Sequence, residues 1–416
     1  MNTINPNSVL FERASARGKR AIHLVYYALV LWIPLETLYL IKDADAEGGM
    51  TVSKLLGFIL FALALLNRRI CFRRFPSVFW MVLWYLLVYT LSVLWIPEDL
   101  RRQFFAGQTT LVQMIFLFLI SLNLFSDTQF RDSLLRFYGW WAVIVAAGMM
   151  LGIFGGEFLE DTGRISISAL DPNVAAGLLA LGAICIVGNI KKLFSKSGII
   201  SNLAVSVFII AILQTGSRGG MIAFIAGVLG FAFCVGKKSR FLARAMVLSA
   251  VIGLLGYLVL QAFQTGTVMA SRLDMTLRQG DTAGRTIIWG YAWDMFLEKP
   301  FLGYGGYNNF VTLGGYLNVS IRNTHNIFLA WLTGVGLVGA VPFIVAFFYT
   351  IKKSWNYGKD TGNALPFALM CTLLAINFSI SGDNQKLFWI ILAVAAASGS
   401  EFESSRNSGE AVSGAG

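Results

Sequence analysis

From residue 22 almost to its end, the chain alternates long apolar runs with short polar stretches. An α-helix crossing a bilayer needs about 20 mostly apolar residues. On that criterion the pattern predicts twelve spans: 22–41, 52–67, 77–96, 108–125, 138–155, 173–190, 198–214, 219–236, 242–264, 326–351, 364–381 and 386–399. Four are short for a crossing (52–67, 198–214, 219–236 and 386–399) and are expected to tilt, extend into their flanks or dip back. The first run contains Pro34 and Glu36 and is longer than the apolar core of a signal peptide, so it reads as a retained first helix.

One long polar segment, 265–325, separates the ninth span from the tenth. Within it, GRTIIWGYAWDMFLEKP places Ile287, Ile288, Tyr291, Ala292, Met295 and Phe296 on one helical stripe. Trp289 and Trp293 suit the headgroup level. Pro300 stops this helix, and GYGGYNNF follows as a turn-rich stretch. The polar tail 400–416 is expected to be disordered.

Composition agrees with the spans. Of 416 residues, 56% are hydrophobic and 13% charged, against about 25% charged in a soluble domain. Mean hydropathy is +0.67. Runs of this length, without ten-residue alternation, exclude a β-barrel. The net charge of +11 does not change the picture, because Lys and Arg gather between apolar runs rather than in a basic stripe, and nucleic acid is excluded as a partner. With the N-terminus inside, the inner segments collect Arg13, Arg17, Lys19 and Arg20, then Arg68, Arg69, Arg73 and Arg74, then Lys237, Lys238, Arg240 and Arg244, and later Lys352, Lys353 and Lys359. That is the positive-inside bias. The expected fold is therefore an all-α polytopic membrane protein of about 12 transmembrane helices, with both termini cytoplasmic and one large helical outer loop. Its parts are helices 1–9 over 1–264, the loop 265–325, helices 10–12 over 326–399, and the tail 400–416. Cys71, Cys185, Cys234 and Cys371 are scattered, which indicates neither a disulfide framework nor a zinc site.

Four groups with useful chemistry fall on the outer side in this topology. Arg164 lies in EDTGRISISALDPN. Arg218 lies in QTGSRGG, a tight turn between two spans. Arg285 opens the stripe of the long loop. His325, one of two histidines, begins the tenth span. An Arg at a span end can snorkel to the interface; equally, a Gly-rich turn opening a helix presents N–H groups to an anion, and the guanidinium fork can add bidentate contacts. His325 can cap a helix, or serve as a general base with a pKa near neutrality. Asn323 and Asn326 flank it and could orient a sugar or the imidazole. His23 lies at the inner end of the first span and reads as structural. Asp43-Ala44-Asp45 is formally a DxD motif for a divalent metal, but in an acidic loop a chance match is the stronger reading, and no metal site is expected. Glu36 is an intramembrane carboxylate without an evident partner. Asp171-Pro172-Asn173 is expected to cap the sixth span. No ATP-binding loop is present.

In order and spacing, TGSRGGMIAFIAG, GRTIIWGYAWDMFLEKPFLGYGGYNNF and NTHNIFLAWLTGVGLVG resemble the O-antigen ligase/polymerase superfamily of bacterial envelope glycosyltransferases, and GRISISALDPNVAAG resembles an earlier outer loop of that family. The resemblance covers about residues 160–340; the first 150 match only in hydropathy. It implies a GT-C-like fold in the bacterial inner membrane, with the helical loop in the periplasm. It also implies a glycan donor on undecaprenyl diphosphate, and a lipid A-core or glycan acceptor. The essential histidine of the family falls on His325 and the donor-diphosphate arginines on Arg218, Arg164 and Arg285. Transfer would be inverting and need no metal or other cofactor. A small-solute or anion transporter is the alternative, but carriers usually place ionisable groups at the midplane, and here Glu36 is nearly alone within the spans.

Overall fold

The computed structural model describes residues 6–36, 39–41, 50–154, 164–167, 170–189, 196–234, 268–279, 282 and 284–398. The expected span 242–264, Asp43 and Asp45 of the DxD motif, and the tail 400–416 lie outside these residues. The described helices are α1 (Pro6–Trp32), α2 (Val52–Leu66), the one-turn α3 (Arg68–Cys71), α4 (Ser77–Leu91), α5 (Arg101–Leu124), α6 (Thr128–Met150), α7 (Pro172–Gly188), α8 (Lys196–Gln214), α9 (Arg218–Cys234), α10 (Val268–Gln279), α11 (Arg285–Glu298), α12 (Asn308–Tyr316), α13 (Ile327–Thr361), α14 (Leu365–Asn377) and α15 (Lys386–Ser398). A short antiparallel pairing, Tyr39–Ile41 with Met50–Thr51, leads into α2 and was not expected.

Each expected span other than 242–264 corresponds to a helix. Among the described residues, five stretches are long and apolar enough to cross a membrane: Ser77–Leu94, Glu98–Leu124, Thr128–Met150, Lys196–Gln214 and Ile327–Thr361. Five further apolar helices among the described residues are shorter, among them Pro172–Gly188 and Leu365–Asn377, which the hydropathy pattern draws longer. The first span ends early. Pro34 cannot continue an α-helix, so α1 stops at Trp32, a 3-10 turn covers Ile33–Leu35, and Glu36 lies beyond it. Large apolar side chains such as Leu24, Phe58, Trp80, Ile144, Ile222 and Val345 stand exposed around the helices. Such a surface is costly in water but suits hydrocarbon.

In lipid, burial of apolar area does not drive helix association; close packing and interhelical hydrogen bonds do. α14 packs along α9, and α13 along α4. An aromatic stack runs through the centre: Trp331 lies 4.3 Å from Phe343, and Phe343 lies 5.6 Å from Trp389. Both indole N–H groups find acceptors on one residue of the α14–α15 loop. Trp331 donates to the Asp383 carboxylate (3.0 Å), and Trp389 to its carbonyl (2.7 Å).

Helix α13 is interrupted, and the interruption seats the loop that precedes it. Gly336 has φ +59° and ψ −167°, non-helical values in the middle of the helix. The turn after Pro300 fits into this break. Leu337 and Val338 donate to the carbonyls of Pro300 (2.8 Å) and Phe301 (3.1 Å), while Tyr304 and Gly305 donate to Thr333 (2.8 Å) and Gly334 (2.8 Å). Backbone groups freed by the break are thus re-satisfied by another strand of chain, as burial requires. A Cβ on Gly336 would collide with the Phe301 backbone, and one on Gly303 would sit 2.7 Å from Gly334. Gly336→Ala combines a left-handed φ with that collision, and is expected to cost about 3 kcal/mol or more. Thermal unfolding in detergent should show a clear drop in midpoint; an unchanged midpoint would contradict the seated turn.

Charged and polar groups divide between the two ends of the bundle. At one end, Lys19 pairs with Asp127 (2.8 Å), and Asn123 Oδ1 accepts the backbone N–H groups of Arg73 and Arg74. Arg131, buried at the same end, donates to Ser398 (3.1 Å) and Tyr357 (3.3 Å). The opposite end carries the start of α7, the α8–α9 turn, α10 to α12, the start of α13 and the α14–α15 loop.

Candidate active site

The α8–α9 turn is built by its own hydroxyls. Thr215 Oγ1 accepts the N–H of Ser217 (3.1 Å), and Ser217 Oγ accepts the N–H of Gly220 (3.2 Å), capping α9. Ser217 in turn donates to Asn173 Oδ1 (2.9 Å) on α7. Asp171 caps that helix, its carboxylate accepting the N–H of Asn173 (2.7 Å), as the Asp-Pro-Asn spacing predicts. Arg164 straddles both elements: Nε donates to the Thr215 carbonyl (2.8 Å) and Nη2 to Asn173 Oδ1 (3.1 Å). Arg218 opens α9 and reaches α10, donating through Nη1 to the Arg272 carbonyl (3.2 Å) and to Thr276 Oγ1. Arg272 reaches back to the Gly216 carbonyl (3.0 Å). The turn and α10 are therefore cross-tied by two guanidinium groups.

Arg285, the first residue of α11, points to the α14–α15 loop, where Nη1 and Nη2 donate to Ser379 Oγ (3.2 Å) and Ser379 O (3.3 Å). The same loop fixes the histidine. Asn323 Oδ1 accepts both the backbone N–H of His325 (2.9 Å) and the hydroxyl of Ser381 (2.9 Å). His325 has φ +50°, a conformation that costs a non-glycine residue about 1–3 kcal/mol. It is held there on both sides: Trp289 of α11 donates to the Thr324 carbonyl (3.0 Å), and Asn326 Oδ1 caps α13 through the N–H groups of Phe328 (3.0 Å) and Leu329 (3.3 Å). Of the two flanking asparagines, Asn323 thus orients the histidine backbone and Asn326 starts the helix. Trp289 also packs with Ile288, Ala292 and Met295 against Tyr304 and Leu313, so it belongs to the loop's core, while Trp293 is exposed. Of the predicted stripe, Ile287 is exposed as well.

Electrostatics link these groups. Burial pushes Arg164 down to about 10, with Arg272, Arg285 and Arg218 adding like-charge repulsion and Asp171 opposing it. Arg285 is lowered by burial, then by Arg218 and Arg272. His325 is lowered by burial, then by Arg322 and Arg285, with Asp171 again opposing. A lowered histidine stays neutral at pH 7 and can accept a proton. The guanidinium groups stay charged, and their mutual repulsion is what a bound anion relieves. All four residues expected at the site, Arg164, Arg218, Arg285 and His325, thus gather at one end of the bundle.

Two arginines that sequence reasoning did not single out join them. Arg272 sits on α10, a helix hidden within the long loop; its signal was Arg272 and Thr276 one turn apart in SRLDMTLRQ. Arg322, three residues before His325, has a buried Nε without a hydrogen-bond partner among the described residues. The loop serines Ser379 and Ser381 carried no signal.

A multi-pass helical membrane protein with a cluster of guanidinium groups beside one histidine is the class these features define. Residues 203–344 match the family model for O-antigen ligase, which places the chain's resemblance in the O-antigen ligase/polymerase superfamily. The match spans the α8–α9 turn, the long loop and the start of α13. A search of curated proteins gives no match. The match implies a polysaccharide ligase or polymerase activity of the glycosyltransferase kind and does not favour the transporter alternative.

Proposed function

We propose that this protein transfers a glycan from undecaprenyl diphosphate to an acceptor hydroxyl, on lipid A-core or on another glycan, at the outer face of the bacterial inner membrane. The observation that carries this reading is the cluster of Arg164, Arg218 and Arg272 about the α8–α9 turn, electrostatically linked to Arg285, which shares the α14–α15 loop with the asparagine that holds His325. The basic end of the bundle, with Arg69, Arg73, Arg74 and Arg131, supports a cytoplasmic assignment under the positive-inside rule, which turns the arginine–histidine end to the periplasm.

In this reading the acceptor oxygen attacks the anomeric carbon while the carbon–oxygen bond to the diphosphate breaks. His325 takes the acceptor proton, and undecaprenyl diphosphate leaves with the bond's electron pair. Negative charge grows on the leaving phosphate, and preset guanidinium groups stabilise it without reorganising. One displacement inverts the anomeric centre. Cationic side chains can fill the role that a metal ion plays at other diphosphate sites, so transfer is expected to persist in EDTA. The assay uses purified protein, a lipid-linked glycan donor and both acceptor types. A ladder of lipid-linked glycan identifies a polymerase, and a single capped conjugate a ligase. Loss of transfer on chelation would overturn the metal-free mechanism, and absence of product with every acceptor would overturn the transferase reading.

A further inference from the structure

Helix α11 is apolar on both sides. Ile288, Ala292, Met295 and Phe296 are buried, while Ile287, Trp293 and Leu297 stand exposed, Leu297 at 58%. A helix that is apolar all round belongs inside protein or lipid. The turn that follows adds Phe301, 67% exposed, and Leu302. These side chains lie on the long loop that the hydropathy pattern sets outside the membrane.

The docking of that turn fixes its depth. Phe301 O accepts the N–H of Val338 (3.1 Å), and Val338 O accepts the indole N–H of Trp84 on α4 (2.9 Å). Phe301, Val338 and Trp84 are all exposed, so the turn continues the lipid-facing surface of α4 and α13. Val338 lies fourteen residues before Lys352, where α13 nears the basic end of the bundle and Tyr357 meets Arg131. Fourteen helical residues span about 21 Å, against a hydrocarbon core of about 30 Å, which puts the turn about 9 Å inside the outer boundary of that core. On α4 the exposed apolar stripe runs on from Trp84 through Leu87 and Leu91 to Leu94, roughly 15 Å further out. Such a depth also accounts for the break in α13. Non-helical backbone within a bilayer must be satisfied by protein, and the turn and the break at Gly336 satisfy each other. The charged end of α11 is partnered as well: Glu298 accepts the hydroxyls of Tyr304 and Tyr316, and the Lys299 ammonium lies 4.2 Å from the Tyr304 ring.

We propose that the end of α11 and the turn after it are embedded in the outer leaflet, with Leu297, Phe301 and Leu302 against acyl chains. Lipid is the occupant because this surface is continuous, through Val338 and Trp84, with the lipid-facing sides of α13 and α4 and lies at their depth. Arg285 opens the same helix, about 21 Å from its other end, so embedding ties the helix of that arginine to the leaflet. On the proposed function, on which this consequence alone rests, that is the leaflet holding the lipid-linked donor, and the donor reaches the cluster sideways.

The test uses the full chain in lipid nanodiscs without donor, so it stands apart from glycan transfer. A fluorescent amino acid is encoded in turn at Leu297, at Phe301 and, as the lipid-facing standard, at the exposed Val345 of α13. Phosphatidylcholine brominated on its acyl chains quenches from within the bilayer, and iodide quenches from water. The probes at Leu297 and Phe301 should lose fluorescence to bromine as strongly as the one at Val345, and be as insensitive to iodide. Phe301 should respond most to bromines near the glycerol end of the chain, and Val345, about 10 Å further along the helix, to bromines nearer the methyl end. Reading two positions separately keeps the result if one labelled protein fails to fold. Quenching by iodide alone at both would put α11 in water and overturn the proposal. Quenching by neither would mean that a second copy, or another part of the chain, covers this face, and would overturn it equally.

Discussion

Replacing His325 by Ala is expected to cut glycan transfer by about 10²–10⁴-fold, the range for losing a general base, with donor binding nearly intact. The loop supports this separation. The backbone of residue 325 is fixed by Asn323, which accepts its N–H, and by its neighbours Thr324 and Asn326, none of which depends on the imidazole. Removing the ring therefore leaves the arginine cluster in place. The pH profile gives an independent check. Burial and the nearby Arg322 and Arg285 lower His325 from its ordinary value, about 6.5 for an unperturbed imidazole. The base is the neutral form, so activity should hold through pH 7 and fall only as pH drops through a limb below that ordinary value. Arg322→Gln removes one of the lowering charges and should move the limb upward. A limb unmoved in that variant, or an Ala variant with wild-type turnover, would show that the proton goes elsewhere.

The helices were legible because period and length are local properties, and bilayer thickness fixes the length. So was the α8–α9 turn, whose Thr, Ser and Gly residues satisfy one another within a few positions. His325 was legible by elimination, as the one histidine on that side of the bundle. What stayed hidden was set by contacts between distant parts of the chain. The run 326–351 reads as one uninterrupted span, yet α13 breaks at Gly336, because the turn after Pro300 docks there and supplies the missing hydrogen bonds. Glu36 finds its partner in Lys386, far along the chain, and no spacing rule links the two. Arg272 was missed because the long loop was read as a single helix beginning at Arg285, whereas α10 precedes it and carries the cross-tie to the turn. The pattern predicted which residues carry charge at the site; the loop serines that aim them came only with the fold.

Arg218→Ala should weaken both donor binding and turnover, lowering kcat/KM by about 10²–10³-fold, the loss typical of one preset donor to developing charge. Arg218→Lys should recover little of it. A guanidinium presents a planar fork, so it can donate to α10 and still face a phosphate; an ammonium on a flexible stem is a point charge. Nη1 of Arg218 is tied to the Arg272 carbonyl and Thr276, so Lys in its place must give up either the helix or the anion. The comparison with Arg164→Lys separates charge from geometry. Arg164 is held by Thr215 and Asn173 and its charge is already opposed by burial and by three like neighbours. Lys there keeps the field but not the ties, and the milder loss should appear mainly in KM. Isothermal titration with undecaprenyl diphosphate, alongside steady-state transfer, distinguishes the two variants. Full recovery by Arg218→Lys in both measurements would mean that position 218 contributes only charge, and that the fork has no part in holding the donor.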